Sequence, residues 1–396
     1  MKHSDFRNRL LSLFQTYDET AFRLRRTAIA ERLQSAAEIY IFGAGQNGQQ
    51  IAVLLSQINL KAVAYIDDTP EKQNTIVNGL PVHPLDFLAG RRNAILITSI
   101  FSPHVGFSEI SARLITRAVE HISLFEFLWV ASKDDSSYFY FLNHPTFLHR
   151  HAGDILWLFD RLVDDDSLAQ LLKHVHFRLN LDYSVLPTVQ RVFWPGTIPS
   201  GKIAYVDCGA YDGDTLIPFM REHGDRVRLA LPIEPDPQNF IRMTNNIASL
   251  SEGDRQKVIP IAAASGETSG KLRFDLGKNQ ASSLSESGSF EVKVVTLDDI
   301  VDEYCEADDH ILVKIDVEGA DLATLKGAKR AIIERKVSLA ISVYHAPSDL
   351  WALPQYVSQL NQNYRFALRS NGCDGADLMI YAFVPEVTES VTKSNR

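Results

Sequence analysis

Ile203-Ala204-Tyr205-Val206-Asp207-Cys208-Gly209-Ala210-Tyr211-Asp212-Gly213-Asp214-Thr215 is an apolar, partly β-branched run that ends in a carboxylate and turns through two glycines. The residues that follow, Leu216-Ile217-Pro218-Phe219-Met220, favour a helix, and a proline in the first helical turn forfeits no intrahelical bond. The order is therefore strand, tight loop, helix. Glycines at 209 and 213 let the loop take unusual dihedrals and let a ligand lie directly on its backbone. N–H groups at a helix start face such a ligand and suit a carboxylate or phosphate. The stretch predicts a small-molecule cradle at the end of a parallel strand.

The next apolar run, Val227 to Ile233, ends at Glu234-Pro235-Asp236-Pro237. A carboxylate at the tip of the second strand is where nucleotide-binding α/β folds grip a ribose diol. The first strand also ends acidic, at Asp207. That charge repels a diphosphate and attracts an ammonium group. A ligand with a ribose at one end and an amino acid at the other fits these two acids, which describes S-adenosylmethionine better than NAD. The bland alternative is that the two acids merely cap the helices that follow them.

Outward from this core, the pattern of strand and helix repeats. A helix around Asn239 to Ser249 precedes a third strand, Lys257 to Ala262, and short β runs are expected at Lys271 to Phe274 and Glu291 to Val295. A fourth core strand, Ile311 to Asp316, leads through Val317-Glu318-Gly319 into a helix from Asp321 to Glu334. A fifth, Val337 to Val343, ends at Tyr344-His345, and Tyr364 to Arg369 with Leu378 to Phe383 close the pattern as an antiparallel hairpin. Near-continuous apolar strands alternating with helices indicate an α/β fold with a mostly parallel sheet covered on both faces.

Upstream lies a second, smaller α/β unit. Two helices over residues 4 to 37, broken near Thr16-Tyr17-Asp18, precede Glu38-Ile39-Tyr40-Ile41-Phe42, which reads as a strand. Gly43-Ala44-Gly45-Gln46-Asn47-Gly48 is a G-x-G-x-x-G turn, and the strand Ala62 to Ile66 ends at Asp67-Asp68. Gly43, Gly45, Gly48 and Asp67 thus make a candidate second nucleotide site. Ala94 to Thr98 adds a third strand, Phe107 to Ala118 a helix and Ile122 to Phe125 a fourth short strand. Only one mononucleotide-sized half is present, which argues against dinucleotide redox chemistry and leaves a nucleotide pocket or a scaffold. The expected organisation is N-terminal helices at 1–37, a Rossmann-like domain at 38–130, a mainly helical connector at 131–200, the large α/β domain at 201–384 and a frayed tail at 385–396.

Composition narrows the function classes. The 396 residues are 45% hydrophobic and 22% charged, which is ordinary for a soluble globular chain of two or three domains. A net charge of −9 without a basic run speaks against nucleic acid. No apolar stretch reaches the length of a membrane span and no signal-peptide region opens the chain, so a cytoplasmic protein is expected. Cys208, Cys305 and Cys373 are too few and too scattered for a disulfide framework or a zinc motif. Asp164-Asp165-Asp166 reads as a solvated helix start, His144, His149, His151 and Asp154 as polar surface, and His174 and His176 point to different sides of one helix.

The large domain resembles the FkbM family of S-adenosylmethionine-dependent methyltransferases from about residue 155 to 384. The resemblance is carried by Val206-Asp207-Cys208-Gly209-Ala210-Tyr211-Asp212-Gly213-Asp214-Thr215, Glu234-Pro235, Ala263-Ala264-Ser265-Gly266, Ser282-Ser283-Leu284, Thr296-Leu297-Asp298-Asp299, Val313-Lys314-Ile315-Asp316-Val317-Glu318-Gly319-Ala320 and Leu325-Lys326-Gly327-Ala328. It implies a class I methyltransferase fold, with a seven-stranded sheet whose last strand is antiparallel, and O-methylation of a hydroxyl on a sugar, glycan or secondary metabolite. Asp207, Gly209, Ala210, Gly213, Asp214, Thr215, Glu234, Pro235, Ala263 and Ser283 are the cofactor-binding candidates. More weakly, the N-terminal unit resembles the Rossmann-like domain of nucleotide-sugar-binding acetyltransferases, through Ile41 to Gly45, Tyr65 to Asp68 and Asn78 to Val82, which implies a nucleotide sugar there.

Methyl transfer to a hydroxyl needs alignment and an acceptor for the hydroxyl proton, and a positioned base contributes about 10²–10⁴-fold. Asp316, Glu318 and His345 sit where the fourth and fifth strands open onto one cleft, with Lys314 as a charge partner. Asp316 with Glu318 can alternatively hold a divalent cation that orients a diol. A nucleotide-sugar-binding protein whose methyltransferase domain is accessory or inactive is the competing functional reading.

Overall fold

The computed structural model describes residues 3–91, 93–102, 104–117, 119–132, 139, 141–186, 201–274 and 290–385. Among these, residues 3–159, 165–186 and 370–378 form one unit, and 160–164, 201–369 and 379–385 form the other.

In the first unit, Asp18 accepts hydrogen bonds from the Thr20 and Ala21 amides and so starts the helix Glu19–Ser35 after the helix His3–Gln15. The strands are β1 (Glu38–Phe42), β2 (Ala64–Ile66), β3 (Ile76–Val77), β4 (Leu80–His83), β5 (Ala94–Thr98) and β6 (Glu120–Ile122). They form a sheet of order β3-β4-β2-β1-β5-β6, parallel except for the β3–β4 pair. Tyr40, Phe42, Ile66 and Leu96 bury one face against Ile110 and Leu114 of the helix Phe107–Ile115. The connector expected at 131–200 contributes the helices Pro145–Arg150, Ala152–Phe159 and Asp165–Asn180.

In the second unit the strands are β7 (Ile203–Cys208), β8 (Val227–Ile233), β9 (Ala264–Ser265), β10 (Gly270–Phe274), β11 (Phe290–Val295), β12 (His310–Ile315), β13 (Val337–Ser342), β14 (Arg365–Ser370) and β15 (Leu378–Phe383). The main sheet has the order β14-β15-β13-β12-β7-β8, and β15 runs antiparallel to β13 while β13, β12, β7 and β8 are parallel. The sequence pattern predicts a full strand at 257–262, but the structure forms only two parallel bridges to β8, Ala230–Val258 and Ile233–Ile261. The Ile259 and Ile261 amides bond to the Ala230 and Pro232 carbonyls, but Pro232 has no N–H to return, so the seventh line of the sheet is interrupted. β9, β10 and β11 form a separate small sheet.

The helix expected over Asp321 to Glu334 is two helices, Asp321–Lys326 and Lys329–Glu334, parted at Gly327. A Cβ on Gly327 would stand 2.0 Å from the Gly266 carbonyl oxygen, so the close backbone approach there demands glycine. The helices Leu216–His223 and Pro237–Ile247 pack Leu216, Phe219, Met220, Met243 and Ile247 with Tyr205 and Ala230 of the sheet. All parallel strands of this sheet therefore deliver their carboxyl ends to one edge, where β7, β8, β12 and β13 release Asp207, Glu234, Asp316 and His345.

Candidate functional site

The glycine loop after β7 is tied down from two sides. The Gly209 and Ala210 amides both donate to the Ile233 carbonyl at the end of β8. Gly209 has φ +77°, and a Cβ there would lie 1.9 Å from the Asp316 carbonyl oxygen after β12. Glycine at 209 therefore serves the contact between two strand-end loops. Gly213 also has positive φ (+86°), and the helix Leu216–His223 starts from Thr215 without a side-chain cap.

Glu234 is buried, and both its oxygens accept backbone N–H groups: Oε2 from Tyr211 at 2.9 Å and Oε1 from Asp236 at 2.9 Å. Burial pushes its carboxyl up to about 7, against the pull of the Asp236 and Tyr211 amides and the Asn239 side chain. Pro235 is half-buried beside it, and Asp236 caps the next helix through the Gln238 and Asn239 amides. Oε1 also accepts from the Asn239 side chain at 3.4 Å, so Oε2 is the oxygen that retains a second lone pair for a hydroxyl donor.

A second group of charges lies between β7, β12 and β13. The parallel register sets Lys314 opposite Asp207. The Lys314 ammonium donates to Asp207 Oδ1 at 3.1 Å and to the Gly209 carbonyl at 3.1 Å, and stands 3.8 Å from Asp316 Oδ2. Burial disfavours the lysine charge, but the carboxylates of Asp207, Asp316 and Asp214 outweigh it and hold Lys314 above its ordinary range. Asp207 is fully buried, and its Oδ2 makes no hydrogen bond. Lys314 thus braces the loop as well as neutralising the strand-end acid.

His345 is held from the other side. Its Nδ1 lies 2.7 Å from Asp321 Oδ2, while Nε2 faces Asp316 Oδ1 at 3.4 Å and Glu318 Oε2 at 3.9 Å and makes no hydrogen bond among the described residues. Burial alone would lower this histidine, yet the hydrogen bond and charge of Asp321, with Asp316 and Glu318, raise it to about 9. Asp316 also accepts from the Tyr344 hydroxyl at 3.2 Å. Burial pushes the Asp316 carboxyl up, but the neighbouring Lys314 and His345 charges win and hold it below the usual carboxylate range. Exposure separates the group: the side chains of His345 and Asp321 are 3% and 2% exposed, those of Asp316 and Glu318 24% and 30%.

The structure therefore gathers Asp207, Gly209, Glu234, Lys314, Asp316, Glu318 and His345 at one sheet edge. Ala210 is buried against β8, and Ala263 is buried just before β9. Asp214 is exposed, and Thr215 is half-buried at the helix start. Ser283 lies outside the described residues. Sequence reasoning missed Asp321, which opens the helix after Gly319 and also accepts the Val317 and Gly319 amides, and it missed Tyr344 and the Tyr211 amide. A buried carboxylate two residues after a glycine turn was the available signal for Asp321. Among the described residues, no group of three or more His, Cys, Asp or Glu side chains is placed to hold a metal ion.

The glycine loop of the first unit repeats part of this design. Gly43 has φ +105°, and a Cβ on Gly48 would stand 1.9 Å from the Gly43 carbonyl oxygen, so the third glycine of the motif serves loop–helix packing. Gly45 is the N-cap residue of the helix Gln46–Gln57, and a Cβ there would meet no atom within 4 Å. Asp67 accepts the Ala44 amide at 2.8 Å, the Thr69 amide at 2.9 Å and the Lys72 ammonium at 3.2 Å. Elsewhere, His151 pairs with Asp154, His174 is wholly buried, and Asp164 pairs with Arg369. Among the described residues no helix is long and apolar enough to cross a membrane.

Residues 207–368 match the family model of the methyltransferase FkbM domain. A stretch of 119 residues, 29% of this chain, is 33% identical to the hexuronic acid methyltransferase AglP of Haloferax volcanii. That match spans 47% of the relative, about half its length. The crystal structure of methyltransferase FkbM from Methylobacillus flagellatus KT shares the fold, with a TM-score of 0.76 at 22% identity over 96% of this chain and 100% of the other.

Proposed function

From the methyltransferase FkbM domain that the chain carries at residues 207–368, we propose that this protein is an S-adenosylmethionine-dependent O-methyltransferase acting on a sugar hydroxyl. One observation carries the reading: the glycine loop and Glu234 lie at the same sheet edge as Asp316 and Glu318, the two partly exposed carboxylates of the charge group. The former are built for a nucleoside with an amino-acid tail, the latter for a hydroxyl-bearing acceptor. The sugar class is supported by the hexuronic acid methyltransferase relative, whose acceptor carries such hydroxyls.

The residues fit the cofactor. Glu234 is aligned by two backbone amides and its Oε2 keeps a lone pair for a ribose hydroxyl, and the backbone N–H groups of Asp214 to Leu216 lie at the helix start, where a carboxylate would be held. With Asp207 neutralised by Lys314, the exposed Asp214 and the partly exposed Asp316 are the acids that would favour an ammonium and a sulfonium at this edge. When bound, S-adenosylmethionine supplies an electrophilic methyl group on a sulfonium. Asp316 would take up the proton that the acceptor hydroxyl gives up when the methyl group leaves sulfur and the thioether departs. Because the attacking oxygen becomes strongly acidic as it is alkylated, an ionised carboxylate of low basicity suffices, and Lys314 and His345 keep Asp316 in that form. Glu318 lies beside it for a second hydroxyl of the acceptor.

Calorimetric titration of S-adenosylmethionine and S-adenosylhomocysteine into wild type, Glu234→Ala and Gly45→Glu tests the cofactor half. Binding in the micromolar range that Glu234→Ala weakens at least tenfold, with Gly45→Glu indistinguishable from wild type, is expected. Absence of binding to the wild type would refute the reading and turn attention to nucleotide sugars at the Gly43–Gly48 loop. The acceptor half is tested by label transfer from methyl-labelled cofactor to nitrophenyl glycosides of neutral and uronic sugars.

A further inference from the structure

The four groups at the acceptor edge differ in what they can touch. Asp316 and Glu318 reach solvent, whereas His345 and Asp321 stand behind them with side chains 3% and 2% exposed. A histidine so enclosed cannot meet an acceptor hydroxyl directly. Its Nε2 is buried without a hydrogen bond, yet it points between the two partly exposed carboxylates at 3.4 and 3.9 Å. Its Nδ1 is committed to Asp321 at 2.7 Å, and Asp321 is in turn fixed by the Val317 and Gly319 amides. That turn contains Glu318 and Gly319, both with positive φ (+51° and +96°), so Asp321 stabilises the strained backbone that carries Glu318.

We propose that Asp321 is a positioning residue that holds the His345 imidazole as a fixed double donor, one N–H into Asp321 and the other toward Asp316 and Glu318, so that these two carboxylates are presented to the acceptor. The inference deepens the methyltransferase reading and rests on it for the acceptor. Among the described residues, the charged groups facing the imidazole agree in sign: Asp321 on the helix after the turn, Asp316 and Glu318 at the end of β12. Tyr344 lies next to it on the chain with its hydroxyl on Asp316, and the Lys314 cation reaches Asp316 from the Asp207 side. Three carboxylates around one buried ring favour an imidazolium, and a charged ring is what a double donor requires. Loss of that proton at high pH removes the second donor and frees Asp316 to turn away.

The test follows the ring as well as the reaction. In protein labelled with nitrogen-15 histidine, the resonance missing from His345→Gln is expected to show a doubly protonated ring at pH 7.5 that titrates about two units above an ordinary histidine. Asp321→Asn should lower that midpoint by one unit or more, and Asp321→Glu should restore most of it. In methyl transfer to the best nitrophenyl glycoside, Asp321→Asn should reduce kcat about 10²-fold with KM changed less than about threefold. The high-pH limb of its rate profile should move down together with the ring midpoint. A neutral His345 in the wild type at pH 7.5 would overturn the proposal, as would a midpoint and pH limb that Asp321→Asn leaves in place. The wild-type spectrum decides this even where a variant does not fold. A coupled imidazolium in a chain that binds no S-adenosylmethionine would support the pair while overturning the methyltransferase reading.

Discussion

The two glycine loops of this chain use one backbone device and differ in the charges around it. In each, the acid at the tip of the second strand accepts an amide from the glycine loop after the first: Ala44 to Asp67 at 2.8 Å, and Tyr211 to Glu234 at 2.9 Å. In the first unit that acid also pairs with a cation, Lys72. Burial opposes its charge, but the Ala44 and Thr69 bonds and Lys72 hold Asp67 below the usual carboxylate range. Glu234 has amides without a cation and is raised to about 7. The neighbouring strands diverge further. β1 and β5 set Phe42 opposite Thr98, whereas β7 and β12 set Asp207 opposite Lys314, two residues before Asp316. A glycine loop makes a place for a ligand, and the charges on adjacent strand ends decide whether chemistry can happen there.

The largest expected contrast is catalytic. Asp316→Asn should lower kcat for methyl transfer about 10²–10⁴-fold while leaving the affinity for S-adenosylmethionine within about twofold, measured by label transfer and calorimetry. Asp67→Asn, at the strand-tip acid of the first unit, should leave kcat unchanged. Loss of transfer in both variants would mean that the first unit takes part in the reaction, and the contrast would fail.

Stability should separate the units next. Lys314→Met strands Asp207 in a fully buried site and should cost about 3–5 kcal/mol in urea unfolding. Lys72→Met removes a cation whose side chain is 43% exposed and should cost about 1 kcal/mol or less. Equal losses would show that Lys314 is no more a structural brace than Lys72.

Glycine substitutions sharpen the shared part of the design. Gly209→Ala and Gly48→Ala each place a Cβ 1.9 Å from a backbone carbonyl oxygen, so both should destabilise by about 3 kcal/mol or more. Gly45→Ala meets nothing within 4 Å and should cost about 1 kcal/mol or less. Thermal unfolding of the three variants ranks them.

The smallest effect is a pH dependence. If Glu234 takes the ribose hydroxyls as proposed, it does so ionised, and because its carboxyl is raised to about 7, cofactor affinity should be about tenfold weaker at pH 6 than at pH 8. Glu234→Gln should flatten that slope. A carboxyl raised in the folded state binds its proton more tightly there than in the unfolded chain, so the same group lowers native stability as pH climbs from 4.5 to about 7. Asp67, held low, should add no slope between pH 6 and 8.

Much of this is legible in the residues alone. Ile203 to Thr215 and Glu38 to Gly48 carry their strand, loop and helix in local patterning, and Glu234 and Asp67 follow the next strand at the expected distance. The misjudged elements share a cause. Residues 257–262 have strand-like side chains, but Pro232 on the partner strand lacks the N–H that would complete the ladder, and the helix after Asp321 is parted at Gly327, where the Gly266 backbone leaves no room for a side chain. Both outcomes depend on a partner segment that a local window does not contain.

What the chain determines by itself is therefore its order of elements, its parallel α/β character and the acids at its strand ends, because periodicity, glycine placement and strand-end spacing are local properties. Only the tertiary structure decides which of those acids meets solvent and which is spent on the fold. Asp207 is sealed under Lys314 from 107 residues away, His345 is tied to Asp321 from 24 residues away, and Asp316 and Glu318 keep part of their side chains in solvent. Burial and ionisation are set by every group within a few ångströms, and folding alone brings those groups together.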